Sequence, residues 1–223
     1  MNWLRLYITV EGQAEKAFAD QALAPHLANY NIEVKPRVVV TNRKLGKRGG
    51  ILDFAKIEGD LTRLMSQDRH PEARFTTMID FYALPPEFPG WTEARKKTLP
   101  GERVAELEAS LFRRFGDDRF HPYIQLHEFE ALLYCDLNEL KCRIAHAERG
   151  IESLRSEVAH LEPEEINEGA TTAPSKRIIR HVPVYERSKV RVGAAAASAI
   201  GLPALRAKCP HFNEWLTGLE QLA

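Results

Sequence analysis

Residues 4–15 read LRLYITVEGQAE. Six of the first seven are apolar, aromatic or β-branched, and a glycine turn follows at Glu11-Gly12, which predicts a strand ending at an acid. From Gln13 onward Ala14, Ala17, Phe18, Leu23 and Leu27 recur near the helical period, so a helix is predicted to Tyr30. The pattern then repeats. A strand is predicted over 33–40 (EVKPRVVV), with Pro36 placing its first half at an edge or a bulge. A helix over 51–65, a strand over 75–79 (FTTMI), a helix over 102–115 and a strand over 120–126 (FHPYIQL) follow. Strands alternating with helices across 1–126 predict an α/β fold whose parallel sheet is covered on both faces.

Beyond residue 126 the alternation stops. Residues 128–161 and 175–223 read as mostly helical, with a polar loop over 162–174. This divides the chain into an α/β core over 1–135 and a helical extension over 136–223 packed on that core. With 223 residues, the chain can bury a core without disulfides or structural metal. Its 44% apolar and 28% charged residues exclude a disordered or collagenous chain. Lys plus Arg equals Asp plus Glu, so the net charge is zero, and any nucleic-acid contact must come from a local basic patch. Three scattered cysteines, Cys135, Cys142 and Cys209, exclude a disulfide framework and fit a reducing compartment. The first residues lack a signal-peptide pattern, and the longest apolar run, 192–202, is too short to span a bilayer. The expectation is a soluble cytoplasmic protein with no membrane partner.

In open parallel sheets, functional residues gather beyond the carboxyl ends of the strands. Glu11 follows the first strand, with Glu15 one helical turn on. Asp80 follows FTTMI, and Glu128 and Glu130 follow the fourth strand. Like charges in one cleft repel and raise one another's pKa, and a bound cation relieves that repulsion. Oxygen-only ligands suit a hard ion, Mg²⁺ or Mn²⁺, the usual setting of phosphoryl chemistry. Each acid also has a plain structural reading: a turn residue at Glu11, a first-turn acid at Glu15, a cap at Asp80, a charged helix start at Glu128 and Glu130.

Two basic segments complete the candidates. Arg43, Lys44, Lys47 and Arg48 lie in the glycine-rich loop TNRKLGKRGG (41–50), suited to a phosphate backbone or simply solvated. Lys176 and Arg177 open a predicted helix after INEGATTAP. A cation is mildly unfavourable at a helix N-terminus, so Lys176 suggests a nearby anion, whereas a solvated helix start is the alternative. His127 lacks the second histidine of a zinc motif.

VEGQAE (10–15), MIDFYALPPEFPG (78–90), HPYIQLHEFEALLY (121–134) and INEGATTAPSKRI (166–178) occur in this order. Together they resemble a bacterial Toprim-like family of unknown function, related to OLD-type nucleases, often encoded beside an ABC/SMC-type ATPase. The resemblance implies a Toprim-like parallel sheet and metal-dependent cleavage of DNA or RNA in phage defence. It implies that Glu11 and Glu15 bind metal, that Asp80 opens a DxD motif, that Glu128 or Glu130 fills a later acidic role, and that Lys176 is the late catalytic lysine. The second DxD acid would fall at residue 82, where Tyr82 stands. Either Glu128 or Glu130 supplies that oxygen, or one metal binds, or hydrolysis is lost. The last case leaves a non-catalytic module that binds an ATPase or nucleic acid, and metal-dependent stabilisation separates it from the enzyme.

Overall fold

The computed structural model describes residues 3–39, 53–166, 169 and 171–222. Strand β1 (Leu4–Val10) runs into helix α1 (Gln13–Phe18), which passes through one π-turn, Ala19–Leu23, into α2 (Ala24–Ala28). Then come β2 (Ile32–Val38), α3 (Phe54–Gln67) and β3 (Ala73–Asp80), the last leading into a 3₁₀ turn, Phe81–Ala83. Helices α4 (Trp91–Ala94) and α5 (Pro100–Phe115) precede two short strands, β4 (Phe120–His121) and β5 (Ile124–Gln125). A buried 3₁₀ segment, Phe129–Cys135, opens the helical part: α6 (Asn138–Lys141), α7 (Glu148–Glu157), α8 (Pro174–His181), α9 (Lys189–Ile200), α10 (Leu202–Lys208) and α11 (Pro210–Glu220). Among the described residues no helix is long and apolar enough to cross a membrane.

All pairings are parallel, in the order β2-β1-β3-β4, with β5 also on β3. The architecture is therefore the α/β class with a mostly helical C-terminal part. Pro36 lies on an edge strand, where its missing N–H removes no ladder bond on the outer side. The single strand expected over 120–126 is broken in two. Pro122 donates nothing, and threonine hydroxyls of β3 replace the lost ladder: Thr76 Oγ1 donates to His121 O, and Thr77 Oγ1 donates to Tyr123 O at 2.8 Å and accepts from Tyr123 N at 2.9 Å.

Alternation along the strands feeds two cores. Leu4, Leu6, Ile8 and Val10 of β1 face Phe18, Phe129, Phe212 and Leu216. Phe75 and Ile79 of β3 face Ile57 and Leu61 of α3 and Val104 and Leu107 of α5. The first core includes residues from Leu4 to Leu219, so the segment after residue 135 shares the hydrophobic interior of β1 and α1. It is this shared core that carries α8 and α9 to the carboxyl end of β1.

Close approach of α7 and α8 depends on Gly150. A Cβ there would stand 2.2 Å from the His181 carbonyl oxygen and 2.9 Å from Val182 Cγ2. Gly59 in α3 has nothing within 4 Å of the same position. Gly150→Ala is expected to lower unfolding free energy by about 2 kcal/mol through overpacking against backbone. Gly59→Ala is expected to raise it by about 0.5–1 kcal/mol through helix propensity. Urea titrations of the two variants check both signs.

Candidate functional site

The β1–β3 register runs to Val10↔Met78, so Glu11 and Asp80 emerge from adjacent strand ends. Asp80 is the last residue of β3 and pairs with Gln125 of β5, three residues before Glu128. His127 makes the turn between them. It has φ 61°, a left-handed conformation that is strained for a non-glycine residue, and its side chain is wholly buried with Nε2 3.0 Å from Glu164 O. Its carbonyl accepts from Tyr82 N–H at 2.9 Å. Sequence reading dismissed His127 as a zinc ligand; the structure gives it the task of turning the chain so that Glu128 and Glu130 return toward Asp80.

Backbone donors orient the acids. Phe129 N–H donates to Asp80 Oδ1 at 2.9 Å. Ser175 N–H, in the first turn of α8, donates to Glu128 Oε2 at 2.8 Å. Glu15 folds back over the start of α1, and a Cβ on Gly12 would stand 3.0 Å from its Oε2. Glu130 meets Lys189 Nζ at 3.1 Å and the Tyr185 hydroxyl at 3.3 Å. Glu11 Oε2 is buried with no hydrogen-bond partner among the described residues.

Electrostatics bind these five acids into one unit. Burial, then Glu15, push the Glu11 carboxyl up to about 7, with Glu128 and Glu130 adding and the Asp80 backbone N–H opposing. Burial raises Glu15 to about 7, against backbone N–H donors from its own residue and Gly12. Burial followed by Glu11, Glu15, Glu130 and Glu128 holds Asp80 well above the usual carboxylate range. Burial also raises Glu130, against the pull of Lys189. Burial alone would lower Lys189, but Glu130, Glu128 and Asp80 outweigh it and raise its pKa. Such mutual perturbation in a buried cluster is a mark of functional sites, shared with structural ion networks.

The five acids expected from strand ends are thus brought together, but the basic residues sort differently. Lys176 is exposed and bonds to no described residue; what α8 offers the acids is its N-terminal backbone N–H at Ser175, where the helix dipole favours a carboxylate. The lysine that meets the cluster is Lys189, which opens α9. Arg177 is not free for a phosphate. It is buried, its Nε donates to Thr172 O at 2.7 Å, and its Nη1 is paired with Glu157. Arg43, Lys44, Lys47 and Arg48 lie outside the described residues. Sequence reading missed Lys189 and Tyr185. Gly193 lets α9 close on that tyrosine, since a Cβ there would stand 2.9 Å from its hydroxyl.

Among the described residues, no three acidic, imidazole or thiol groups are already arranged as a coordination shell. The fit to a cation rests on two other features: oxygen donors only, with one buried carboxylate oxygen unpartnered, and five acids facing one lysine. Fully ionised, that set carries four negative charges in excess. Residues 10–220 match the model of a family described as "Domain of unknown function (DUF4276)". No curated protein and no solved structure matches the chain.

Proposed function

We propose that this chain, which belongs to the DUF4276 family, is a Mg²⁺- or Mn²⁺-dependent phosphodiester-cleaving enzyme acting on DNA or RNA. One observation carries the reading: carboxylates from three chain segments, 11–15, 80 and 128–130, converge at the carboxyl ends of adjacent parallel strands, and the pKa values of Glu11, Glu15, Asp80 and Glu130 are driven up.

Glu11 and Asp80, with Glu128 or Glu130, would hold the ion. When bound, the metal supplies an activated water and neutralises charge on the phosphoryl oxygens. The chain supplies the rest. Phe129 N–H fixes one oxygen of Asp80. Ser175 N–H does the same for Glu128. Glu11 presents an oxygen that no other group claims. Lys189 balances Glu130 and stands as the cation available to a phosphate. The family resemblance adds a separate ABC/SMC-type ATPase as partner, which co-purification tests.

The test is incubation with single- and double-stranded DNA and with tRNA, in Mn²⁺ or in EDTA. Cleavage in Mn²⁺ alone, abolished by Glu11→Gln or Asp80→Asn, is the expected result. Thermal stabilisation by Mn²⁺ without cleavage of any substrate would leave a metal-binding module in its place.

A further inference from the structure

We propose that Tyr82 is a stacking platform for an unpaired base, and that it restricts the substrate to single-stranded nucleic acid. This rests on the reading of the acid cleft given above. Tyr82 stands two residues after Asp80, and its backbone N–H is tied at 2.9 Å to the carbonyl of His127, the residue before Glu128. The ring therefore starts from backbone bonded to both acid-bearing segments.

The ring is displayed on a fixed support. Tyr82 lies in the 3₁₀ turn Phe81–Ala83, where residues three apart share a face. Phe81 and Leu84, 7% and 6% exposed, are both packed into the core beneath the sheet. Leu84 N–H closes the turn on Phe81 O at 3.2 Å. With both ends anchored, Tyr82 is left 41% exposed, and its hydroxyl bonds to no described residue. A lone exposed aromatic is ordinary on a protein surface. One held between two apolar anchors beside a cluster of acids is placed to receive a flat partner.

Exposed cations lie near the cluster residues along the chain: Arg187 and Arg191 two positions either side of Lys189, and Lys176 next to Ser175. Stacking on an aromatic side chain is tolerant of base identity because every base has a π-face, but it requires the base to be out of a duplex.

Fluorescence anisotropy with the full chain tests this, using labelled 12-nucleotide thymidylate and uridylate single strands and a 12-base-pair DNA duplex, with Ca²⁺ replacing Mg²⁺. Tyr82→Ala is expected to weaken single-strand binding by about 5- to 100-fold, while Tyr82→Phe and Tyr82→Trp bind as the wild type and duplex binding is unchanged in all. The thymidylate and uridylate arms separate DNA from RNA. Wild-type affinity in Tyr82→Ala, or an equal loss for single strand and duplex, overturns the proposal. So does a wild-type protein that binds neither strand yet is stabilised by Mn²⁺; that outcome leaves the acid cleft standing. Absence of any Mn²⁺ stabilisation overturns the cleft reading itself. Melting temperatures of the three variants are expected to match the wild type, since the side chain is exposed.

Discussion

In EDTA the protein is expected to melt about 5–10 °C lower at pH 8 than at pH 5.5, and millimolar Mn²⁺ is expected to recover most of that loss at pH 8 only. Glu11 and Glu15 ordinarily titrate near 4.5 and are raised to about 7 in the fold. A carboxyl raised on folding favours the neutral native state. Its stabilisation is complete below pH 4.5 and is lost as pH rises through 7. For Glu11 alone the full effect is on the order of 3 kcal/mol, of which about 2 kcal/mol falls between pH 5.5 and 8, and a protein of this length moves about 2–4 °C per kcal/mol. The acids are coupled, so their contributions do not add. The groups with depressed pKa act elsewhere: Asp68 beside Arg5 and Glu157 amid His181, Arg180 and Arg177 lose their contribution only as pH falls below the ordinary carboxylate range. His211, raised chiefly by its bond to Glu108 against burial, adds a fall above pH 6.5. The Glu11→Gln/Asp80→Asn double variant keeps the His211 effect and the effect of burial on Glu15 and Glu130, so the difference between the two proteins isolates the share of Glu11 and Asp80. Metal at 100 times its dissociation constant adds about 2.7 kcal/mol to a site that only the folded chain offers. Differential scanning fluorimetry at both pH values, with and without EDTA, measures all of this. A metal effect of equal size at pH 5.5, or one kept by the double variant, would place the cation outside the cleft.

The proximity of the five acids was legible in the sequence because its logic is local. Strand β1 declares itself by composition, the glycine turn ends it at Glu11, and the strand-end rule then points to Asp80, Glu128 and Glu130 without knowledge of any contact. The basic residues follow no such rule. The argument applied to Lys176, a cation at the wrong end of a helix, applies equally to Lys189. Which N-terminus meets the acids with a side chain is decided by how α9 packs against α1, with Gly193, Ala196 and Ala197 buried, and an alanine-rich stretch carries no sign of that. Arg177 misled for a related reason. Its partner Glu157 lies 20 residues away and reaches it because Gly150 lets α7 and α8 touch. The broken strand was half-visible: Pro122 is in plain view, but the substitution of Thr76 and Thr77 hydroxyls for ladder bonds needs the register of β3 against its neighbours.

Lys189→Met is expected to reduce metal-dependent cleavage by at least about 100-fold, the usual consequence of removing one preorganised charge from a phosphoryl site. Lys176→Ala is expected to stay within about threefold of wild type. The lysines differ in what surrounds them. Lys189 Nζ lies 3.1 Å from Glu130 Oε1, and its charge is held by Glu130, Glu128 and Asp80, whereas Lys176 is exposed with no described partner. The Lys189 side chain is itself 36% exposed against 10% for Glu130, so solvent screens the pair and its loss costs about 1 kcal/mol rather than the several of a fully buried pair. The melting temperature should therefore fall by only a few degrees while activity collapses. Removing the lysine also leaves the acids more negative, so Mn²⁺ should stabilise Lys189→Met at least as strongly as the wild type. That combination, stronger response to metal with weaker cleavage, separates a cation that acts on the phosphate from one that merely holds Glu130 in place. Lys189→Arg tests the same point from the other side: it keeps the charge but changes its reach and geometry, and partial activity is expected. Full cleavage by Lys189→Met would remove Lys189 from the mechanism, and loss of cleavage in Lys176→Ala with its fold intact would return that role to the residue at which the sequence first pointed.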